Sequence, residues 1–292
     1  MNEWPEGFRA GFACIVGRPN TGKSTLTNAL VGQKVAITSA RPETTRRVIR
    51  AIVNRDDGQI ILVDTPGLHR PRTLLGERLN DMVRDSLGDV DAVVMCLPAD
   101  EPTGPGDRFL LKLLSGEAPL IAAVTKCDLV GRAKLAQRLV EISDLADFAE
   151  VVPVSAAEGE QIDLLASLLI KRMPISPPLY PRDAVSDETE ETLITELVRE
   201  AALEDLHDEL PHSLAVTIEE IIGEHVHVNL HVERDSQKGI IIGRGGSQLK
   251  RIRVRARKAI ERLLARKIYL DLHVKVTKDW QRDPKKMGRL GF

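Results

Sequence analysis

The chain has 292 residues, of which 42% are apolar, and a formal net charge of −2. This length allows about two domains, and the apolar content is sufficient for hydrophobic cores. We expect neither a membrane-spanning nor a secreted protein, because no apolar run approaches ~18 residues and the N-terminus does not resemble a signal peptide. A cytoplasmic protein is expected, with its three cysteines, which lack metal-binding spacing, as reduced thiols.

The first predicted element is a strand, residues 12–16, followed by a glycine-rich loop, residues 17–24, and a helical run, residues 25–31. The loop has the pattern G-x-x-x-x-G-K-S, in which backbone N–H groups surround phosphate oxygens, Lys23 reaches the β- and γ-phosphates, and Ser24 offers a hydroxyl to Mg²⁺. Strand, loop and helix agree with this motif, so a nucleoside triphosphate site is predicted. Its residues are Gly17, Arg18, Pro19, Asn20, Thr21, Gly22, Lys23 and Ser24.

A polar segment without helical or strand periodicity, residues 41–47, comes next. A threonine here is the natural second hydroxyl ligand of Mg²⁺, in a loop that orders only with the γ-phosphate present. The pattern does not distinguish Thr44 from Thr45, and the alternative is a solvated connector with incidental threonines. The predicted switch residues are Glu43, Thr44, Thr45, Arg46 and Arg47.

A second apolar run, residues 60–63, ends in D-T-P-G. This spacing places the Asp64 carboxylate at a strand end near the Mg²⁺ and the Gly67 N–H near the γ-phosphate. We therefore predict catalytic roles for Lys23, Asp64 and Gly67. The nucleotide contacts predicted in this stretch are Asp64, Thr65, Pro66, Gly67 and Leu68.

A third apolar run, residues 120–124, ends in T-K-C-D, and a later strand ends in V-S-A at residues 154–156. The Asp128 carboxylate can accept hydrogen bonds from N1–H and the 2-amino group of guanine, which adenine lacks. Each motif is weak alone, but ligands of α/β sheets bind at the carboxyl ends of the strands, where all of them lie. The predicted base-site residues are Thr125, Lys126, Cys127, Asp128, Ser155 and Ala156.

The second half of the chain begins after a helix over residues 162–172 and a proline-rich segment that we interpret as a stiff spacer. A helix, a hairpin around residues 223–224, the loop G-R-G-G, a basic helix and a last strand follow, which is the element order of a type II KH domain. We predict domains at 1–173 and 189–292, the second with a basic C-terminal tail, joined by a linker at 174–188.

Charge is divided unevenly along the chain, since residues 238–292 hold 17 Lys and Arg against 4 Asp and Glu. Such a basic region suggests an anionic partner, nucleic acid or membrane, and a merely solvated basic face is the alternative. A G-x-x-G loop in a KH fold clamps the backbone of about four single-stranded nucleotides. The predicted RNA contacts are Gly243, Arg244, Gly245, Gly246, Lys250, Arg251, Arg253 and Arg257.

On these motifs the chain resembles the translation-factor-related GTPases and, within them, the Era group, over essentially its whole length. The resemblance implies an α/β P-loop GTPase domain, with a mostly parallel sheet between two layers of helices, followed by a smaller α+β KH domain. Leu68 stands where Ras-like enzymes carry a water-positioning Gln, which implies slow intrinsic hydrolysis. Thr125 departs from the pattern, because the group usually has Asn there, whose amide makes bridges that a hydroxyl replaces only in part.

The resemblance also implies the ligands and partners. They are Mg²⁺, GTP and GDP, K⁺ held by Asn20, the 3′ region of 16S ribosomal RNA, the 30S subunit and peripheral contact with the inner face of the cell membrane. By holding K⁺, Asn20 would be a fourth catalytic residue. We expect a monomeric GTP-hydrolysing switch that acts in 16S rRNA processing and 30S subunit biogenesis. An RNA- or membrane-binding adaptor with a structural, barely hydrolysed GTP is the alternative, and an RNA-modifying GTPase is a third hypothesis.

Overall fold

The computed structural model describes residues 4–38, 45–67, 74–88, 90–114, 118–204 and 213–292. The chain forms two compact units, and of the described residues 4–38, 45–67 and those from 78 to 187 lie in the first, whereas 74–77 and those from 188 to 292 lie in the second. Within the described ranges, no helix combines the length and the apolar character needed to cross a bilayer.

The first unit is built on a six-stranded sheet with the order β2-β3-β1-β4-β5-β6. All neighbours are parallel except β2 and β3, which pair antiparallel. The strands are β1 Arg9–Val16, β2 Ile49–Asn54, β3 Gly58–Asp64, β4 Ala92–Pro98, β5 Leu120–Thr125 and β6 Glu150–Pro153. The helices are α1 Lys23–Val31, α2 Leu74–Asp85, α3 Pro105–Leu114, α4 Arg132–Ser143 and α5 Ile162–Ile170.

Separate apolar clusters cover the two faces of this sheet. Every residue of β3 and β4 is buried, which is the pattern of strands covered by helices on both sides. In β1, Ala13 and Ile15 belong to one cluster and Cys14 and Val16 to the other, as the alternation of side chains along a strand requires. The predicted α/β class, with helices on both faces of a mostly parallel sheet, is confirmed.

The proline-rich segment makes hydrogen bonds to the strands of the first unit. Ala10 N–H donates to the carbonyl of Pro174 at 3.1 Å, and the Gln59 side chain, which is fully buried, accepts from the N–H groups of Leu179 and Tyr180 at 2.7 and 2.9 Å. Further on, Ile52 N–H donates to the carbonyl of Val185 at 2.9 Å. The stretch interpreted as a stiff spacer is thus hydrogen-bonded to the unit before it, because its free carbonyls and N–H groups meet an edge strand and a buried amide.

The second unit has a three-stranded sheet with the order β7-β8-β9, in which β7 and β8 are antiparallel and β8 and β9 parallel. The strands are β7 Ala215–Ile222, β8 His225–Val232 and β9 Tyr269–Val276, and the helices are α6 Glu190–Leu203, α7 Asp235–Ile242, α8 Ser247–Leu264 and α9 Pro284–Arg289. Apolar residues of α6, α8 and the sheet form a single core. This helix and strand order confirms the predicted KH-type α+β fold.

The last residues, expected as a basic tail, are folded against this second unit. The Trp280 side chain is fully buried, donates from Nε1 to the carbonyl of Ser213 at 3.0 Å and stacks on Phe292 with ring centroids 5.3 Å apart. Met287 in α9 is fully buried too. Apolar residues spaced among the lysines and arginines therefore anchor this segment. A count of charged residues alone does not reveal them.

Candidate functional site

The predicted nucleotide motifs meet at one edge of the large sheet. Parallel pairing of β1 with β3 sets Ile15 beside Asp64, so the glycine-rich loop and D-T-P-G leave the sheet at the same level. Similarly, β5 and β6 end at Thr125 and Pro153, which brings T-K-C-D and V-S-A to this edge. The carboxyl ends of parallel strands are where α/β sheets bind ligands.

The glycine-rich loop is closed by a buried lysine. Lys23 is 6% exposed, and its Nζ donates to the carbonyl of Arg18 at 2.8 Å. Burial lowers the pKa of Lys23, while the charge of Asp64 opposes this shift. The loop lies close to D-T-P-G, because a Cβ on Gly67 would be only 2.8 Å from the backbone nitrogen of Pro19. Only glycine permits this approach, which places the Gly67 backbone against the phosphate loop.

Two hydroxyls and a carboxylate form the candidate metal site. Ser24 Oγ lies 2.8 Å from Thr45 Oγ1. Asp64 is completely buried, and neither of its carboxylate oxygens has a hydrogen-bond partner among the described residues. Burial raises the pKa of Asp64 to about 6, although the Lys23 charge and the Ser24 hydroxyl act against the rise. An unpartnered buried carboxylate beside two hydroxyls fits a hard cation that takes oxygen ligands, such as Mg²⁺.

The base motif is joined to the phosphate loop by Thr125. Its Oγ1 donates to the carbonyl of Thr21 at 2.6 Å, so this hydroxyl bridges the two motifs directly. Lys126 adopts a left-handed backbone with φ 57°, and Cys127 N–H donates to the carbonyl of Val154 at 3.3 Å. Asp128 follows with an exposed side chain, as a residue that reads a base must.

The V-S-A motif at residues 154–156 is held by hydrogen bonds within its own turn. Ser155 is fully buried, and its Oγ accepts from Glu158 N–H at 3.1 Å. Its own N–H donates to the carbonyl of Glu160, whose carboxylate accepts from Cys127 Sγ at 3.3 Å. The turn that carries Ala156 is therefore bonded directly to the T-K-C-D motif.

Sequence reasoning missed a set of acidic partners behind the nucleotide motifs. The Arg18 guanidinium donates to Asp107 at 2.8 Å and to Glu101 at 3.3 Å. Lys126 Nζ lies 3.8 Å from Glu101 and 3.9 Å from Asp100. No local sequence motif predicts these ion pairs, because they can form only when β4 lies between β1 and β5 in the sheet.

The G-R-G-G loop lies between α7 and α8 in the second unit. Gly243, Gly245 and Gly246 all have positive φ, between 59° and 77°. A Cβ at Gly243 would be 2.6 Å from Gln248 Cβ, whereas Cβ atoms at Gly245 and Gly246 would meet nothing within 4 Å. Arg244 and Gly245 are exposed. The loop thus offers open backbone and one guanidinium to a ligand.

Beside this loop lies a groove of about 210 Å³ between α8 and β9. It is lined by Gly246, Leu249, Lys250, Arg253, Asp271, Leu272 and His273. Of the predicted RNA contacts, Lys250 and Arg253 line the groove, whereas Arg251 contacts the Gln248 side chain and Arg257 lies 3.9 Å from Glu261. The β9 residues were missed, since only the parallel pairing of β8 with β9 and the packing of α8 bring them beside the loop.

Three predicted site residues lie outside the described part of the chain, namely Glu43, Thr44 and Leu68. Thr45, Arg46 and Arg47 are described. Thr45 is 5% and Arg46 2% exposed.

Residues 12–126 match the family model described as 50S ribosome-binding GTPase, and residues 209–281 match the KH domain model. The chain is 58% identical to the GTPase Era of Mycolicibacterium smegmatis, covering 98% of this chain and 99% of that one. It is 56% identical to the GTPase Era of Streptomyces coelicolor, over 97% and 95% of the two chains.

Two solved structures resemble the whole chain. One is an Aquifex aeolicus Era variant bound to GDP and AlF₄⁻, and the other is an Era in complex with MgGDPNP and nucleotides 1506–1542 of 16S ribosomal RNA. Each is 35% identical, has a TM-score of 0.93 and covers 97% of this chain and 99% of its own.

Proposed function

Because the chain belongs to the family of the GTPase Era, we propose that it is a GTP-hydrolysing switch that binds the 3′ region of 16S ribosomal RNA and acts in rRNA processing and 30S subunit biogenesis. The observation that carries the GTPase part is the buried, unpartnered Asp64 carboxylate beside the Ser24 and Thr45 hydroxyls. We place the protein in the cytoplasm as a monomer, with peripheral contact to the inner face of the membrane.

In this proposal the phosphate loop holds GTP. Backbone N–H groups of residues 17–24 surround the phosphates, and Lys23 turns its charge from the Arg18 carbonyl to the β- and γ-phosphates. Ser24, Thr45 and Asp64 would hold Mg²⁺, which would neutralise charge on the phosphate oxygens. Of the two threonines in the switch, Thr45 is favoured, because its hydroxyl already lies 2.8 Å from that of Ser24.

The base is read by Asp128, and the turn at Ser155 and Ala156 offers a backbone N–H to guanine O6. We propose a GTPase domain at 1–173, a linker at 174–188 and a KH domain at 189–292. The hydrogen bonds of residues 174–187 support counting most of the linker with the GTPase domain. RNA lies in the groove beside the G-R-G-G loop, where Lys250 and Arg253 contact phosphates and Leu249 and Leu272 give an apolar surface to bases.

The test of this function is steady-state phosphate release in K⁺ and in Na⁺, with and without RNA. We expect faster hydrolysis in K⁺ at equal ionic strength, since Asn20 would hold K⁺ where charge develops between the β- and γ-phosphates. Asn20→Ala should remove the difference between the salts while GTP still binds. We further expect the RNA to change the rate of release, as a switch requires.

Equal rates in the two salts would contradict the role of Asn20. A protein that binds GTP and the RNA tightly but releases no phosphate under any of these conditions would instead be the adaptor with a structural nucleotide.

A pH dependence should follow from Asp64. Its pKa of about 6 means that the carboxylate becomes protonated as the pH falls below that value, and a neutral acid is a poor metal ligand. The Mg²⁺-dependent part of GDP affinity should therefore fall below pH 6, by up to about tenfold per pH unit. Titrations of GDP between pH 5 and 7.5, with Mg²⁺ and with EDTA, measure this part.

Asp64→Asn is the control, since it should lose the pH dependence and show weak Mg²⁺-dependent binding throughout. A Mg²⁺ contribution independent of pH would contradict the assignment of Asp64 as a metal ligand.

The raised pKa of Asp64 also makes the folding stability of the nucleotide-free protein depend on pH. Ionising a buried Asp64 is unfavourable, so its contribution to stability decreases as the pH rises from about 4 to about 6.

A further inference from the structure

The side chain of Arg18 leaves the phosphate loop and lies against the first turn of α3. Its Nε donates to Asp107 Oδ1 at 2.8 Å and its Nη2 to Glu101 Oε2 at 3.3 Å. Asp107 is fully buried, and its other carboxylate oxygen accepts from Gly104 N–H at 2.8 Å. Hydrogen bonds between charged groups are stronger than those between neutral ones. A buried carboxylate outside the phosphate loop therefore fixes the guanidinium of a loop residue.

The carbonyl of Arg18 accepts two hydrogen bonds inside the phosphate loop. The donors are Lys23 Nζ at 2.8 Å and Thr21 Oγ1 at 3.0 Å. The Thr21 carbonyl in turn accepts from Thr125 Oγ1, in the T-K-C-D motif. Displacing the Arg18 side chain would therefore disturb a carbonyl that holds both the lysine and a threonine of the loop.

A glycine in α3 leaves room for this side chain. Gly106 lies in the first turn of the helix, and a Cβ there would be only 2.8 Å from Arg18 Cδ. The backbone at this position does not require glycine, because its φ is outside the left-handed region and alanine is favoured in helices. The close approach of the Arg18 side chain therefore explains the glycine.

Glu101 faces the phosphate loop and the base motif at once. Besides its hydrogen bond from Arg18, its carboxylate lies 3.8 Å from Lys126 Nζ in T-K-C-D. The side chain of Glu101 is 42% exposed, so solvent weakens these interactions relative to those of the buried Asp107. One acidic side chain thus interacts with a cation from each of the two nucleotide motifs.

We infer that Asp107 and Glu101 are positioning residues of the nucleotide site. Asp107 holds the phosphate loop in its binding conformation through Arg18, and Glu101 joins this loop to the base motif. A loop that is ordered in advance loses less conformational freedom when a ligand binds, so loosening it should speed up the release of GDP. The inference rests on the proposed function, which assigns the loop to a guanine nucleotide.

The experiment times the release of a fluorescent GDP from the full chain loaded with nucleotide and Mg²⁺. In Gly106→Ala, the new methyl group displaces the Arg18 side chain. In Asp107→Asn, either Arg18 Nε or Gly104 N–H must face an NH₂ group, because an amide has a single acceptor oxygen. Gly239→Ala is the matched control, since it makes the same change in α7, where a Cβ would meet nothing within 4 Å.

We expect GDP release to become about tenfold faster in Gly106→Ala and in Asp107→Asn, since a charged hydrogen bond that holds the loop is lost. Release should become about two- to threefold faster in Glu101→Gln, whose interactions are partly exposed. Gly239→Ala should release GDP like the wild type.

The Arg18→Ala variant separates a positioning role from a merely structural one. It should itself release GDP faster, and adding Gly106→Ala to it should change nothing further, because no side chain is left to displace. If the alanine acted only on the stability of α3, it would accelerate release equally in both backgrounds.

Unchanged release in Gly106→Ala, or equal acceleration with and without the Arg18 side chain, would overturn the inference. Unchanged release in a folded Asp107→Asn or in Glu101→Gln would remove that residue from the positioning role. If Asp107→Asn fails to fold, Gly106→Ala and its combination with Arg18→Ala still decide whether α3 positions the loop. A wild type that does not bind GDP would contradict the proposed function instead, before any variant is compared.

Discussion

Replacing Asp128 by Asn should reduce GTP affinity by at least about 3 kcal/mol, because two hydrogen bonds to a charged acceptor are lost and a donor then faces the donors of guanine. The preference should move toward xanthosine triphosphate, whose carbonyl at position 2 can accept from the new amide. Since Asp128 is exposed, the substitution should leave folding intact. Titration of GTP, ATP and xanthosine triphosphate against the same protein measures the change.

Asp144→Asn is the matched control, since it makes the same change at an exposed carboxylate just after α4. It should bind all three nucleotides like the wild type. Unchanged affinity for GTP and ATP in the Asp128 variant would remove Asp128 from the base site, and with it the expectation that guanine is selected by this residue.

The second large effect is expected in the G-R-G-G loop. Replacing Arg244 and Gly245 together by Asp places two negative side chains where an RNA backbone would lie, so single-stranded RNA binding should be lost. A Cβ at Gly245 meets no neighbouring atom, and Asp tolerates a left-handed backbone better than most residues, so the fold should persist. Binding of an RNA that spans 16S nucleotides 1506–1542, at several salt concentrations, measures the loss.

The chain offers a closely matched control in Gly288 and Arg289, an adjacent glycine and arginine that are both exposed in α9. Converting both to Asp makes the same change of charge in the same unit, away from the loop. This control should still bind RNA, and both variants should keep normal GTP affinity. Equal RNA binding by the loop variant and the wild type would show that G-R-G-G is only a turn. An equal loss of RNA binding in the control would show that the change of net charge, not the loop, causes the loss.

Much of the molecule could be predicted from local sequence, because its motifs are short and contiguous. The glycine-rich loop, D-T-P-G and T-K-C-D each follow an apolar run, and that is enough to place them at one edge of a parallel sheet. The hairpin from Ile222 to His225 was predicted equally well, since β8 alternates apolar and polar residues along its length.

The features that sequence did not predict depend on contacts between distant residues. The antiparallel strand β2 was not predicted from the sequence. It follows a polar segment, and it is a strand only through its pairing with β3. The contact between the Ser24 and Thr45 hydroxyls requires the chain to return to the phosphate loop. The hydrogen bond from Arg138 Nη1 in α4 to Thr103 Oγ1 could not be anticipated either, because it depends on the packing of the loop after β4 against α4.

The bonding of the proline-rich segment has a consequence for the solubility of the protein. Strand β2 is the outermost strand of its sheet, and an open edge is a template for pairing with other chains. Here Ile52 N–H is paired with the carbonyl of Val185, and the Ser186 hydroxyl donates to the carbonyl of Arg50 at 3.0 Å. The segment thus covers this edge of the sheet. A GTPase fragment cut at residue 173 would lack the segment and expose an apolar strand edge, whereas one that ends at residue 187 would keep the edge covered.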